Sequence, residues 1–392
     1  MRKEGSWESA AGRGRAERPI CRRFRWVPFP RRLVLCLVGA ALLPRPSSGQ
    51  GAASTEVLDP AAPPLDAAEA LARGPRRPPD LETWMRENPS VCVGAVDVRL
   101  KTPFEARFGD HVLSVLGSTA RLRRTESPHP GELRFGVLVG IKEADPATLR
   151  SLDRFLRRFQ HAGVDAVLVG GDTARGRFEL ERIFTQLAES GLPILAIPGN
   201  NESRTRFNGA LLQVWRSHPN VVNMSLVRRV DLDGVDIVSL PGYHLRQFAS
   251  ESASCIHDAE DVKSLVPLAE GADDPVLLLT HGPPKQRGRR RLDFIPDAGN
   301  VGHALLTETI RRAGIRFGIH GHIVEAGATA TTLDGSPVKQ GRWSRELFLN
   351  PGIANSLPTV LNAGWTSYGT AAIVSVRRGK ARWKLLRAPR PR

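Results

Sequence analysis

Ala166-Val167-Leu168-Val169-Gly170-Gly171-Asp172 is a short apolar run that stops at two glycines and an acid. The run predicts a strand, and the glycines let the backbone turn sharply at its end and carry the Asp172 side chain toward a point that other strand ends can reach. Outward from it the same grammar repeats. Phe135–Val139, Ile194–Ile197, Val276–Leu279, Arg316–Ile319 and Leu347–Leu349 read as further strands, and Val230–Ser239 as a hairpin turning at Asp233-Gly234. A helix opens at Asp145-Pro146 as N-cap and first helical position. It carries Leu149, Leu152, Phe155, Leu156 and Phe159 at helical spacing and stops at Gly163. A second helix has Leu180, Ile183, Phe184 and Leu187 on one face and ends at Gly191, and a third lies between Ala304 and Ala313. Strands alternating with helices predict an α/β layer fold.

Polar residues gather just after these strands, where open α/β sheets bind ligands. In chain order they are Gly170-Gly171-Asp172, Gly199-Asn200-Asn201-Glu202, His281-Gly282-Pro283-Pro284 and His320-Gly321-His322. Each alone reads as a turn or a structural histidine. As an ordered series, one Asp, one Asn and two His at strand ends make an oxygen and nitrogen set suited to a divalent transition metal.

This series resembles that of the calcineurin-like metallophosphoesterases, over roughly residues 133–376, and Leu347–Gly352 resembles that family's closing strand and turn. The resemblance implies a four-layer α/β/β/α sandwich, two sheets flanked by helices, with a two-metal site at one edge. It assigns one metal to Asp172, Asn200, His281 and His322, all retained. The family's second metal uses an Asp-x-His pair after the first strand and the last His of Gly-His-x-His; here Gly140-Ile141-Lys142 and Val324 stand in those places. Asn201 replaces the His that the family uses as leaving-group acid or transition-state donor. The loss is selective, one ligand set complete and the other emptied. The implied protein is therefore a hydrolase of phosphate esters with one divalent transition metal (Mn, Fe or Zn). The alternative is a catalytically silent fold kept for binding or assembly.

On this reading Asp172, Lys142 and Asn201 are the candidate catalytic residues, and Lys142 and Asn201 the candidate substrate contacts. Lys142 either projects into the place of the missing cation, where its ammonium meets a phosphate oxygen, or points to solvent. Asn201 can donate a hydrogen bond but cannot act as a general acid. His320 reads as structural, and His244 and His303 as surface residues on loops near the site. The run Lys285–Arg291 reads as a solvated loop, or as a basic rim that gathers phosphorylated substrates.

The rest of the chain frames this domain, placed at 133–390. Of 56 Lys and Arg, ten stand in residues 1–32 against three Glu, and Arg45 adds one more, so half of the net charge of +16 belongs to a leader. Pro30-Arg31-Arg32 runs into the apolar block Leu33–Leu43 and then Pro44, Ser47, Ser48 and Gly49. That is the order of a signal peptide over 1–49, of Sec type or faintly twin-arginine, and it predicts export to the periplasm or medium with no transmembrane anchor in the mature chain. Residues 50–90, rich in Ala, Pro, Gly and Arg, read as a flexible linker with a short helix near Leu65–Leu71. Residues 91–132 read as a small β segment without chemistry. No basic stripe interleaved with aromatics points to nucleic acid, so the expected partner is a phosphorylated substrate. Removal of the leader takes Cys21 and Cys36, leaving Cys92 and Cys255 either as a disulfide or as two buried thiols.

Overall fold

A computed structural model describes residues 80–390. The signal peptide expected over 1–49, the linker up to residue 79, Cys21 and Cys36 lie outside the described residues.

The chain builds two sheets, each with a parallel centre. Strands β1 (Arg99–Phe108), β2 (His111–Gly117) and β3 (Thr119–Arg124) come first, followed by β4 (Leu133–Leu138), helix α2 (Pro146–His161), β5 (Ala166–Gly170), α3 (Arg177–Ala188), β6 (Ile194–Ile197), α4 (Arg204–Trp215) and β7 (Val221–Asn223). Before all of them stands α1 (Leu81–Glu87). The second half contributes β8 (Arg229–Asp231), β9 (Asp236–Leu240), α5 (Ala259–Lys263), α6 (Leu265–Glu270), β10 (Val276–Thr280), β11 (Phe294–Ile295), β12 (Gly299–Asn300), α7 (Ala304–Arg312), β13 (Phe317–Ile319), β14 (Thr329–Thr331), β15 (Leu347–Asn350), β16 (Thr359–Val360), β17 (Thr366–Ser367), β18 (Thr370–Arg377) and β19 (Lys380–Arg387). One sheet runs β19-β18-β4-β5-β6-β7, with β4 to β7 parallel. The other runs β1-β2-β3-β8-β9-β10-β13-β15-β14, with β9, β10, β13 and β15 parallel.

The period-2 geometry of a strand sorts its side chains into layers. Val137, Leu168, Leu195 and Ile197 point one way and meet Ile237, Leu277, Leu279, Ile319 and Leu349 of the other sheet in one core. Their neighbours Leu138, Val167, Val169, Ile194 and Ala196 point the opposite way and pack on α2, α3 and α4 through Leu152, Phe155, Phe159, Ile183, Phe184 and Phe207. On the far side Val238, Leu240, Leu278 and Phe348 pack on α5, α6 and α7 through Val262, Leu265, Leu306 and Ile310. Three apolar layers between two sheets and two sets of helices make the α/β/β/α sandwich. α2 begins where the sequence places it: Asp145 caps the helix by accepting from the Ala147 and Thr148 amides at 2.9 and 3.2 Å.

The segment ahead of residue 133 is tied into this body. The β segment expected over 91–132 supplies β1 to β3, which extend the second sheet, β3 pairing in parallel with β8. The linker expected to reach residue 90 stops earlier, because α1 buries Leu81, Trp84 and Met85 in the core between the sheets. Arg228, 1 % exposed, donates to Gly94 O at 2.6 Å, Ser239 O at 2.9 Å and Ser264 Oγ at 3.2 Å. Burial holds its guanidinium down to about 10. Cys92 and Cys255 form a disulfide across 163 residues of chain. Among the described residues no helix is long and apolar enough to cross a membrane.

Closing so long a loop constrains the unfolded chain strongly. Cys92→Ser with Cys255→Ser is expected to lower the unfolding free energy by roughly 2–5 kcal/mol, read from the denaturant midpoint. Wild type in reductant should fall to the same midpoint as the double variant. If reductant leaves the wild-type midpoint in place, the bridge is not what holds the amino-terminal segment.

Candidate metal centre

The carboxyl ends of β4, β5 and β6 in one sheet and of β10, β13 and β15 in the other face one another across the sandwich edge, and the polar series of the sequence sits on the turns that follow them. Asp172, Lys142 and His322 all hold left-handed backbone, with φ of +55°, +69° and +61°. Non-glycine residues enter this region at a cost of roughly 1–3 kcal/mol each. Three such residues around one point mark a spot where the fold overrides local preference. Gly199 makes the approach possible: a Cβ there would stand 2.4 Å from Asp172 Oδ1.

Asp172, Asn200, His281 and His322 come together. His281 is fully buried, and its Nδ1 lies 2.9 Å from Gly170 O, a carbonyl that can only accept, so Nδ1 carries the proton. Its Nε2 faces Asn200 Oδ1, 3.0 Å away, and Asp172 Oδ1, 3.3 Å away. His322 Nδ1 reaches the same Asn200 oxygen at 2.8 Å. The amide of Asn200 is oriented by its other end, since Nδ2 donates to Phe248 O at 2.6 Å. Burial, with His281 second, pushes the His322 imidazole down to about 3, so it is neutral with a lone pair to offer. The polar atoms of this set stand 2.8 to 3.3 Å apart. Nε2 of His281, Nδ1 of His322 and the oxygens of Asn200 and Asp172 converge, and with both ring nitrogens unprotonated all four suit a shared cation. Among the described residues no three His, Cys, Asp or Glu side chains gather as a metal-binding group on their own. The set closes only through the neutral Asn200 oxygen common to both imidazoles.

Gly140, Lys142 and Val324, the positions expected to lack ligands, also come together. They line one small pocket with Asp172, His281 and His322, and its volume of about 10 Å³ holds one water at most. Lys142, 35 % exposed, turns its ammonium toward Asp172, Nζ to Oδ2 3.7 Å. Asn201 donates its backbone N–H to Asp172 Oδ1 at 3.3 Å, while its side-chain oxygen accepts from Ser250 Oγ at 2.5 Å.

Several residues that shape the site carry no recognisable motif. Glu202 has no exposed surface and accepts from the backbone N–H of Asp172, Gly199 and Thr173. Burial first, and the Asp172 charge second, hold its carboxyl above the usual range. Tyr243 stacks on His322 with ring centres 3.8 Å apart and has no exposed surface. The only hint of it in the sequence is its place in Pro241-Gly242-Tyr243-His244, just after β9. His244 and His303, expected at the surface, are half-buried and stack face to face at 4.1 Å, beside His257. Burial pushes His244 down to about 4 and His257 to about 3. His320 is fully buried, its Nδ1 3.2 Å from Gly282 O, and faces away from the ligand set onto Phe348. Cys255 lies under the same loop: a Cβ on Gly242 would come within 2.7 Å of its sulfur.

No family model and no curated protein matches the chain. Solved structures similar to it include a purple acid phosphatase from yellow lupin seeds, 10 % identical over 71 % of this chain and 56 % of that one, with a TM-score of 0.43. A dimetal phosphatase from Danio rerio is 12 % identical over 66 % and 99 %, with a TM-score of 0.39. GAP50, the anchor in the inner membrane complex of Plasmodium, is 12 % identical over 65 % and 84 %, with a TM-score of 0.41.

The packing around Gly140 bears on whether a second ligand set can be built there. Its φ is +60°, and a Cβ would stand 2.7 Å from Ile353 Cγ2. Gly140→Asp is therefore expected to cost roughly 1–3 kcal/mol of stability and to leave the number of bound metal ions per chain unchanged. A second equivalent of metal in that variant would show that Ile353 yields and that the pocket opens.

Proposed function

We propose that this chain is a divergent calcineurin-like metallophosphoesterase, exported, that hydrolyses phosphate esters at a single metal site. One observation carries the reading: Nδ1 of His281 is engaged by Gly170 O, and its other ring nitrogen converges with His322 on the oxygens of Asn200 and Asp172. Asp172, Asn200, His281 and His322 are the residues that would hold the ion, a Mn, Fe or Zn. When bound there, such an ion polarises a phosphoryl oxygen and acidifies a bound water.

The chain's own groups do the rest. Lys142 presents one positive charge beside Asp172, where it can meet a phosphoryl oxygen. The Nδ2 of Asn201 remains a donor while its oxygen is engaged by Ser250. Asn201 has no proton to lend a leaving group, so esters with acidic leaving groups, such as aryl esters, should be favoured over alkyl ones. The Cys92–Cys255 disulfide supports an oxidising compartment, in line with the leader read at residues 1–49.

A second reading, a silent fold kept for binding, is favoured by one contact. Lys142 already places a positive charge against the Asp172 carboxylate, so that carboxylate has a partner in the absence of an ion.

Metal content and turnover separate the two readings. The purified chain should hold one divalent ion, and Asn200→Ala or His281→Ala should release it and lower kcat/KM on an aryl phosphate ester about a hundredfold or more. Lys142→Ala should keep the metal and lower kcat/KM about tenfold. A metal-free wild type that turns over no ester belongs to the silent fold.

A further inference from the structure

The loops that carry the site do not end at it. After β10 the chain passes His281 and runs out through the basic stretch Lys285–Arg291 to β11. After β13 it passes His322 and turns through Ile323–Gly327. After β15 it passes Gly352 and Ile353 and runs out to β16. Since β10, β13 and β15 are neighbouring parallel strands, all three loops leave from one edge. Their inner parts line the metal pocket, and their outer parts enclose a groove of about 820 Å³. Val324 lines the pocket and its neighbour Glu325 lines the groove, so the two adjoin along the chain.

The groove wall is tied together. Asn362 donates its backbone N–H to Glu325 O at 2.7 Å and its Nδ2 to Phe294 O at 2.8 Å, joining the three loops, and Leu361 is buried beneath it. Two kinds of surface meet in it. Arg289 and Arg290 supply guanidinium groups, and Phe294, Ile295, Val360 and Leu361 supply apolar area. Val360 is 70 % exposed and nearby Leu357 57 %, apolar surface that water alone does not favour. Arg290 holds left-handed backbone, φ +56°. Asp297 and Glu325 also line the groove. The stretch behind it carries five cations in seven residues, Lys285, Arg287, Arg289, Arg290 and Arg291. None of the five makes an ion pair among the described residues: Arg124, Arg134 and Arg382, by contrast, each reach an acid. In the lining itself Arg289 and Arg290 are balanced in number by Asp297 and Glu325, and the excess positive charge comes from the exposed Lys285 and Arg287 of the same loop.

We propose that this groove binds the organic part of the substrate, and that the substrate is an anionic amphiphile, an organic phosphate carrying an apolar chain or ring. This rests on reading the adjoining pocket as a phosphoester site. Two guanidinium groups that pair with no acid among the described residues, Arg289 and Arg290, set beside exposed apolar surface and next to the pocket read as a phosphate site, match a ligand with an anionic head and an apolar body. Such a ligand comes either from a bilayer or from solution.

The test is binding, measured by calorimetry on the full chain, so that it does not depend on turnover. Each fully buried methylene adds about fourfold to affinity. Hexyl phosphate should therefore bind at least about tenfold more tightly than methyl phosphate. Arg289→Glu with Arg290→Glu, and separately Val360→Asp, should each remove most of that difference. Both variants change exposed loop positions, and an unchanged circular dichroism melt checks that they fold. Co-sedimentation with phosphatidylcholine vesicles containing phosphatidic acid, lost in both variants, places the substrate in a bilayer. The hexyl preference without vesicle binding places it in solution. Equal affinity for methyl and hexyl phosphate, or a hexyl preference unmoved in both variants, overturns the proposal. A chain that holds no metal and turns over no ester yet keeps the hexyl preference contradicts the phosphoesterase reading alone. A working phosphoesterase without that preference contradicts the groove alone.

Discussion

The carboxyl group of Glu202 has no contact with solvent, and the backbone N–H groups of Gly199, Asp172 and Thr173 all end on it. Those three amides belong to the turns after β6 and β5, so one side chain clamps two strand ends together. A buried carboxyl group without such donors would be costly. With them it fixes the backbone from which Asp172 and Asn200 project. The left-handed φ of Asp172 survives because its own N–H is held there. The placement of Asp172 and of the Asn200 backbone starts from this clamp.

A second layer of support reaches the site from the other sheet. The loop after β9 delivers Tyr243 onto the face of His322, Phe248 O to the amide of Asn200 and Ser250 to Asn201. Gly242 in that loop packs on Cys255, and Cys255 is bonded to Cys92 in the amino-terminal segment. Arg228 reinforces the same junction from within, joining Gly94 to Ser239 and Ser264. Stability of the leading segment and orientation of a ligand amide are thus mechanically connected.

Much of the inner architecture was legible because local periodicity and caps express it directly. Asp145-Pro146, the apolar face of α2 and the Asp233-Gly234 turn were found where the chain puts them. Other elements were not legible, for identifiable reasons. Helix α4 carries Asn208 and Gly209 in its middle, which blurs its apolar face. Asn208 is buried there because it donates to Pro89 O and Val91 O, partners more than a hundred residues away in sequence. Helix α1 was read as linker because its three buried residues find their core only when the sheets are assembled. His244 and His303 read as surface residues because nothing local says that each will cover the other's ring.

The sequence by itself determined which residues end the strands and which chemistry they carry: Asp172, Asn200, His281 and His322 as possible ligands, Gly140, Lys142 and Val324 as positions without them. Short-range covalent geometry is enough for that, since strand period and glycine turns are properties of neighbouring residues. Only the tertiary structure decided that His281 would spend its proton on Gly170, 111 positions away, and so turn its free nitrogen to Asn200. Only it decided that the ammonium of Lys142 would face Asp172, and that the outer halves of three loops would close one groove. These outcomes depend on which strands lie side by side and on the backbone angles of a few strained residues, and both are set by packing between segments far apart in the chain.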